Sequence, residues 1–267
     1  MKFTVITVTY NSGDKLLSTI ENVLKQTYDD VEILVKDGLS KDDSLIKLRE
    51  KIKDYKGPKQ IRIEESKDAG IYDAMNQAVA LATGDVIIFM NCGDYFYKED
   101  VLHNIAKAIE FAPDRGIYYG DAYFRQADQI MSMPKEITES ICYRHIPNHQ
   151  SCLFERKLFA EGGFNLEYKI RADYDFFLRQ YFVKSVRPYY TGITVADYEG
   201  GGYSETKENR TRDKYEHEKI TTEYMGEKRV KHYKTMMLLT LQPVRKYIAQ
   251  DSPLSGLYDA VKKRVYH

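Results

Sequence analysis

The sequence predicts an α/β fold: a mostly parallel sheet flanked by helices, with a helical C-terminal extension. Three observations lead there. Short β-branched and apolar runs alternate with stretches whose apolar residues recur at helical spacing, the signature of strand–helix–strand crossovers. Each apolar run stops at a polar, turn-forming cluster. One run, Val86, Ile87, Ile88, Phe89 and Met90, is apolar throughout, as in a strand buried on both faces between layers of helix.

The elements follow in order. Residues 3–9 form the first strand, broken at Asn11-Ser12-Gly13-Asp14. Ser12 or Asp14 can cap a helix through Leu16, Leu17, Ile20, Val23 and Leu24. A strand over 31–35 ends at Lys36-Asp37-Gly38, and a helix carrying Leu45, Ile46 and Leu48 follows. A third strand, 60–64, runs into Ser66-Lys67-Asp68-Ala69-Gly70. The helix from Ile71 aligns Ala74, Met75, Ala78, Val79 and Ala82 on one face. The fourth strand then ends at Asn91-Cys92-Gly93-Asp94.

In a parallel sheet these endings gather along one edge, the carboxyl edge, where open α/β sheets bind their ligands. Tyr10-Asn11, Asp37, Asp68 and Asp94 are expected there together. Clustered carboxylates repel one another, and a divalent cation is the simplest compensator. A lone Asp after a strand is usually a turn former or cap; recurrence carries the functional reading. Neither Gly-x-Gly-x-x-Gly nor Gly-x-x-x-x-Gly-Lys-Ser/Thr follows the first strand, against a dinucleotide-binding Rossmann fold and a P-loop.

Composition narrows the classes further. The 267 residues suit one large α/β domain or a domain with an appendage. Forty basic and forty acidic residues balance, so no whole-chain field points to nucleic acid. Cys92, Cys142 and Cys152 are widely separated and suggest neither a disulfide framework nor a zinc site, which fits a reducing cytoplasm. Met1 leads at once into a strand, leaving no room for a signal peptide. No apolar run approaches the roughly 18 residues a membrane span needs. The expected location is cytoplasmic, with at most peripheral contact at the inner face of the cell membrane.

Four segments resemble family 2 glycosyltransferases, which have the GT-A (Rossmann-like) fold. They are Val8-Thr9-Tyr10-Asn11, then Asp37-Gly38-Leu39-Ser40-Lys41-Asp42, the stretch from Asp68 through Gly70-Ile71-Tyr72-Asp73-Ala74-Met75-Asn76, and Asn91-Cys92-Gly93-Asp94. The likeness is greatest to the bacterial colanic-acid and exopolysaccharide type and covers roughly residues 1–205. It implies a nucleotide-sugar half over 1–97, an acceptor-side half over 98–205 and a helical, basic extension over 206–267. By the resemblance, Asp37 contacts the base, and uracil N3–H or a guanine edge would suit its carboxylate. Thr9, Tyr10, Asn11, Asp68, Gly70 and Asn76 belong to the donor pocket. The metal–diphosphate motif falls on Asn91, Gly93 and Asp94, with Mg²⁺ or Mn²⁺ at Asp94. Members of the family commonly have Asp-x-Asp-Asp there, so this chain keeps one carboxylate, which phosphate oxygens and water would supplement.

The second half begins with a helix over 98–111 and a strand over 116–124 interrupted at Gly120-Asp121; Asp121 is a second acidic group at the site or a bulge former. A short strand over 152–154 follows Pro147-Asn148-His149-Gln150-Ser151. The resemblance puts His149 on the acceptor side. The family's base, commonly within Glu-Asp, falls on Ala172-Asp173, which makes Asp173 the catalytic candidate. Glu199-Gly200-Gly201-Gly202-Tyr203-Ser204 resembles a family Gly-Gly-x-Ser loop whose glycines, Gly202 among them, would close over the diphosphate, or it forms a plain linker.

Residues 205–224 read as a polar, mostly solvated helix. Beyond Gly226, basic residues flank Met236, Met237, Leu238, Leu239 and Leu241. Such a tail lies on an anionic membrane, packs on the domain, or joins a second copy in a homodimer. The resemblance implies an inverting, metal-dependent transfer of one sugar from a nucleotide sugar, UDP-linked by preference, to a glycan or polyprenyl-linked acceptor in surface polysaccharide synthesis. The chain lacks tryptophan and so lacks the Gln-x-x-Arg-Trp signature of processive members. A sugar-nucleotide-binding module with weak catalysis is the alternative, motivated by Asn91, Gly93 and Ala172.

Overall fold

The computed structural model describes residues 1–200 and 209–239. The chain divides into two compact units, Met1–Glu218 and Lys219–His267, and the first holds the whole sheet. Four strands run parallel as the alternation requires: β1 (Phe3–Thr9), β2 (Val31–Asp37), β3 (Gln60–Glu65) and β4 (Val86–Phe89). Their connections are α1 (Asp14–Leu24), α2 (Ser44–Ile52) and α3 (Ile71–Leu81). The order is β3-β2-β1-β4. The chain therefore steps outward twice and then returns to the other side of β1. That reversal opens a crevice at the carboxyl ends of β1 and β4, the ligand position of open α/β sheets.

Past β4 the sheet becomes mixed. β5 (Tyr95–Phe96) follows closely, then α4 (Val101–Phe111), β6 (Ile117–Phe124), β7 (Gln129–Met131), α5 (Glu139–Arg144) and β8 (Cys152–Glu155). α6 (Ala172–Leu178) precedes β9 (Tyr189–Tyr198). β8 is antiparallel to both β4 and β6, β9 is parallel to β6, and β5 is antiparallel to β9. β5, β7 and β9 were not legible beforehand: β5 and β7 are very short, and β9 mixes tyrosine, threonine and glycine without a clean alternation.

The interruption at Gly120-Asp121 is a bulge, with the β6–β9 register shifting on both sides of Asp121. Asp121 Oδ1 accepts from Met133 N at 2.8 Å and from Tyr190 Oη at 2.9 Å. Of its two readings the bulge former holds. A side chain at Gly120 would strike the Ile193 carbonyl, which explains the glycine.

Both faces of the central strands are buried, which accounts for the unbroken apolar run in β4. One face joins Val5, Ile33, Val35 and Ile88 to Leu16, Ile20, Leu102 and Ile105 of the helices. The other carries an aromatic cluster. Phe89 meets Phe164 at 5.4 Å between ring centroids, and Phe176 stacks on Phe159 at 4.5 Å. Phe176 also meets Phe154 and Phe164, so it ties α6 directly to β8 and, through Phe164, to β4.

The C-terminal region is helical, as α7 (Asn209–Met225) and α8 (Glu227–Leu239). Most of α7 is exposed or half-buried, but it buries one carboxylate, Glu216, and the first compact unit runs to Glu218. Gly202, Leu241 and the basic residues from Arg245 onward lie outside the described residues. Among the described residues, no helix is long and apolar enough to cross a membrane.

Phe176→Ala is expected to destabilise the first unit by about 3–5 kcal/mol, because a fully buried ring leaves a cavity among three others. Urea unfolding followed by tyrosine fluorescence checks this.

Candidate active site

The strand endings meet at one edge. Thr9 pairs with Asp37 across β1 and β2, and Asp37 pairs with Glu65 across β2 and β3. Thr9 Oγ1 lies 2.6 Å from Ser12 Oγ. Tyr10 is 63% exposed beyond it. Asn11, with φ 49°, takes a left-handed turn and its Oδ1 accepts from Lys41 N at 2.8 Å. Asp37 is fully buried, and its two oxygens accept from Ser40 N at 2.8 Å and Ser40 Oγ at 2.5 Å. As the chain stands, that carboxylate braces the turn after β2 and presents no exposed oxygen.

A buried cation organises this edge. Lys36 Nζ donates to Ser66 O at 2.7 Å and Asp37 O at 3.1 Å, and lies 3.3 Å from Asp68 Oδ2. Asp68 Oδ1 accepts from Gly70 N at 3.1 Å at the start of α3. A Cβ on Gly38 would sit 2.7 Å from Asp68 Oδ2, so only glycine lets the β2 and β3 endings close up. Asn76 is placed elsewhere. Its amide clamps the Phe164 backbone, donating to O at 2.9 Å and accepting from N at 2.8 Å. It is not among the residues that line the cleft.

At the end of β4 the chain turns, Asp94 N donating to Asn91 O at 3.0 Å. Thr19 Oγ1 holds the turn from α1, accepting from Gly93 N at 2.9 Å and donating to Asp94 O at 3.1 Å. Arg125, paired with Asp197 at 3.0 Å, reaches Gly93 O at 3.3 Å. The Cys92 thiol is pushed up by burial and stays protonated, which suits a turn residue. Asp94 is 5% exposed. Its Oδ2 accepts from Gln150 Nε2 at 2.7 Å and its Oδ1 from Glu199 N at 2.9 Å. Burial pushes its carboxyl above the ordinary range despite those donors and the nearby His149. Glu199 is itself pinned by Lys15 at 2.6 Å.

These groups open into a cleft of about 460 Å³, lined by Tyr72, Asn91, Asp94, His149, Gln150 and Asp173 among others. Two adjacent residues divide the work at its centre. Gln150 engages Asp94, and His149 Nδ1 lies 3.4 Å from Asp173 Oδ2. His149 Nε2 lies 3.1 Å from Asn91 Nδ2. An amide nitrogen only donates, so Nε2 accepts and the ring proton sits on Nδ1, facing Asp173. Tyr72 Oη lies 3.0 Å from Asp173 Oδ1, and Tyr174 N donates to that same oxygen at 2.9 Å. Burial works to raise the Asp173 carboxyl, but His149, Tyr72 and the Tyr174 N–H outweigh it and hold it below the usual range. Burial, then Asp173 itself, keeps Tyr72 far above the ordinary phenol range, so it retains its proton. The outcome is an ionised carboxylate fixed by donors, facing a cleft.

Of the residues singled out from sequence, Asn91, Asp94, His149 and Asp173 share this cleft. Thr9, Tyr10, Asn11, Asp37, Asp68 and Gly70 stand at the endings of β1, β2 and β3 or the start of α3. Tyr72, Gln150 and Glu199 were not singled out individually. All three lay within motifs, but nothing in a sequence says which neighbour of a histidine turns toward which carboxylate.

Residues 4–186 match the sequence pattern of the family described as Glycosyl transferase family 2. The chain belongs to that family. It is 31% identical to a PGL/p-HBAD biosynthesis glycosyltransferase of Mycobacterium bovis over 209 residues, 76% of this chain and 79% of that one. A UDP-Glc:alpha-D-GlcNAc-diphosphoundecaprenol beta-1,3-glucosyltransferase of Escherichia coli is 30% identical over 138 residues, half of this chain and 52% of the relative. Two solved structures share the fold. S. aureus TarS 1-349 in complex with UDP aligns with a TM-score of 0.64 at 18% identity, over 94% of this chain and 73% of that one. A mannosyltransferase from Pyrobaculum calidifontis in complex with GDP-Man and Mn²⁺ aligns with a TM-score of 0.66 at 18% identity, over all of this chain and 81% of that one. This glycosyltransferase therefore carries the mixed, mostly parallel sheet of the GT-A fold.

His149→Ala removes the donor that lowers the Asp173 carboxyl while burial, which raises it, remains. The acid limb of the pH–rate profile is expected to move to higher pH in this variant, and rates across pH 4–8 (roughly the span in which a released carboxyl titrates) check it. An unmoved limb would detach His149 from the Asp173 carboxylate.

Proposed function

We propose that this glycosyltransferase is inverting, metal-dependent and non-processive, moving one sugar from a UDP-sugar to a glycan or polyprenyl-linked acceptor in surface polysaccharide synthesis. The observation that carries the reading is the ionised Asp173, held by His149 and Tyr72, in the same cleft as Asp94 at the end of β4. A sugar hydroxyl is a poor nucleophile, and a positioned base removing its proton is worth roughly 10²- to 10⁴-fold. The acceptor oxygen attacks the anomeric carbon as its proton passes to Asp173. The bond to the diphosphate breaks on the opposite side, and the electron pair leaves with the nucleotide. One displacement inverts the centre.

The donor lies along the edge built by Tyr10, Asn11, the turn after β2 and Asp68. Tyr10 offers an exposed ring to the base, and Asp37 shapes the turn beneath it. UDP is favoured by the named donor of the E. coli relative. Lys169 adds positive charge to the cleft wall where charge grows on the leaving group.

Among the described residues no three His, Cys, Asp or Glu gather into a metal site. Asp94 nevertheless supplies a carboxylate, and two amide oxygens of its surroundings, Asn91 Oδ1 and Gln150 Oε1, are buried without partners. Oxygen donors suit a hard cation, and Mg²⁺ or Mn²⁺ is commonly completed by substrate phosphates and water. The residues fit a cation that Asp94 and the donor hold jointly. Such a cation would neutralise diphosphate charge. Basic Lys228, Arg229, Lys231 and Lys234 with exposed Met236, Leu238 and Leu239 on α8 support contact with an anionic membrane surface.

Incubation with UDP-glucose, UDP-GlcNAc, UDP-galactose and GDP-mannose, with Mn²⁺, tests the reading by release of free nucleoside diphosphate. One UDP-sugar is expected to be turned over, and Asp173→Asn to slow it roughly 10²- to 10⁴-fold; an equally active variant would sink the assignment of the base. Asp94→Ala is expected to abolish Mn²⁺-dependent donor binding in calorimetry, and unaltered affinity would refute the metal role.

A further inference from the structure

We infer that Glu216, on α7, is a positioning residue for the Asp173 base, an inference that rests on the reading of Asp173 given above. Glu216 is only 3% exposed although it carries a carboxylate. Its oxygens accept from three consecutive backbone N–H groups: Lys169 N at 2.9 Å, Ile170 N at 3.0 Å and Arg171 N at 2.9 Å. A carboxylate taken out of water needs compensation of this kind, and three charge-assisted bonds supply it. Those bonds fix a segment that lies outside helix and strand and whose last residue, Arg171, is the N-cap of α6. Asp173 stands in the first turn of that helix.

The neighbours of Glu216 on the same face of α7 act alike, as positions i, i+3 and i+4 of a helix share a face. Asp213 takes the Arg171 guanidinium, its carbonyl accepting from Nε at 3.1 Å and its Oδ2 from Nη2 at 2.9 Å. The His217 ring stacks on Tyr174 with centroids 5.4 Å apart and planes at 19°. Residues on both sides of Asp173 are thus held from one helix face.

From the other side, Tyr72 Oη lies 2.6 Å from Ile170 O as well as 3.0 Å from Asp173 Oδ1. The peptide groups of Ile170 are therefore tied at both ends, the N–H by Glu216 and the carbonyl by a hydroxyl that also meets the base. Any slackening at Glu216 reaches Asp173 through Ile170 and Tyr72. Misplacement of a reacting group by about 1 Å can cost roughly 10²-fold in rate, so the clamp has catalytic consequence without touching substrate.

The test uses the full chain and the nucleotide sugar identified by the donor panel. Glu216→Ala removes all three acceptors; Glu216→Gln keeps the volume and one acceptor oxygen and serves as the folded conservative variant. Glu216→Ala is expected to lower kcat roughly 10- to 100-fold, with Glu216→Gln intermediate and donor affinity by calorimetry unchanged in both. In an Asp173→Asn background, Glu216→Ala is expected to cause no further loss, as for residues that act as one unit. Losses that multiply, or that fall on donor affinity or on the melting temperature with kcat preserved, overturn the proposal. If Asp173→Asn alone is as active as the parent chain, it is the base reading that fails instead.

Discussion

Keeping the Asp173 carboxylate ionised beside the buried aromatic rings of α6 is the constraint on which the site depends. Phe176 and Phe177 are fully buried just beyond it on α6, and Tyr174 is nearly so. Low dielectric surroundings favour the neutral acid. Only directed donors reverse that preference, and here two come from distant segments, His149 beside β8 and Tyr72 on α3, and the third is the adjoining Tyr174 N–H. The same donors fix where the carboxylate points. One set of contacts therefore sets both the protonation state and the aim of this carboxylate.

Asp94 presents the opposite arrangement. It too is buried and hydrogen-bonded, yet burial prevails and its carboxyl is raised. Two carboxylates engaged by adjacent residues, Gln150 and His149, are thus driven apart in proton affinity. Divergent affinities of this sort separate roles within a site. The carboxylate whose charge is held by protein donors suits a base. The one left wanting positive charge suits a cation-dependent donor, and the unpartnered oxygens of Asn91 and Gln150 point the same way.

The frame that brings these residues together is shared between the sheet and α7. β1 and β4 supply the switch point, Lys36 and Gly38 draw the β2 and β3 endings together, and Asp121 bends β6. The polar face of α7 then reaches back to residues 169–174. The helix thereby braces the segment that carries Asp173, and the first compact unit runs to Glu218.

The sequence by itself determined the parallel half of the sheet, because apolar runs of strand length alternating with helical periodicity admit little else. Its resemblance to family 2 glycosyltransferases also placed Asn91, Asp94, His149 and Asp173 in motifs, and the fold brings these four to one cleft. What it could not determine was the use of each side chain. Asn76 sits in a motif yet clamps Phe164, and Asp37 braces its own turn, because both groups find backbone partners only after the chain is folded. β9 stayed hidden because a strand of mixed polarity takes its stability from the neighbours β6 and β5 rather than from its own pattern. Glu216 was least legible of all. In a run of charged residues a glutamate reads as solvent-facing, and only tertiary structure, by bringing three orphan N–H groups to one place, makes its burial favourable.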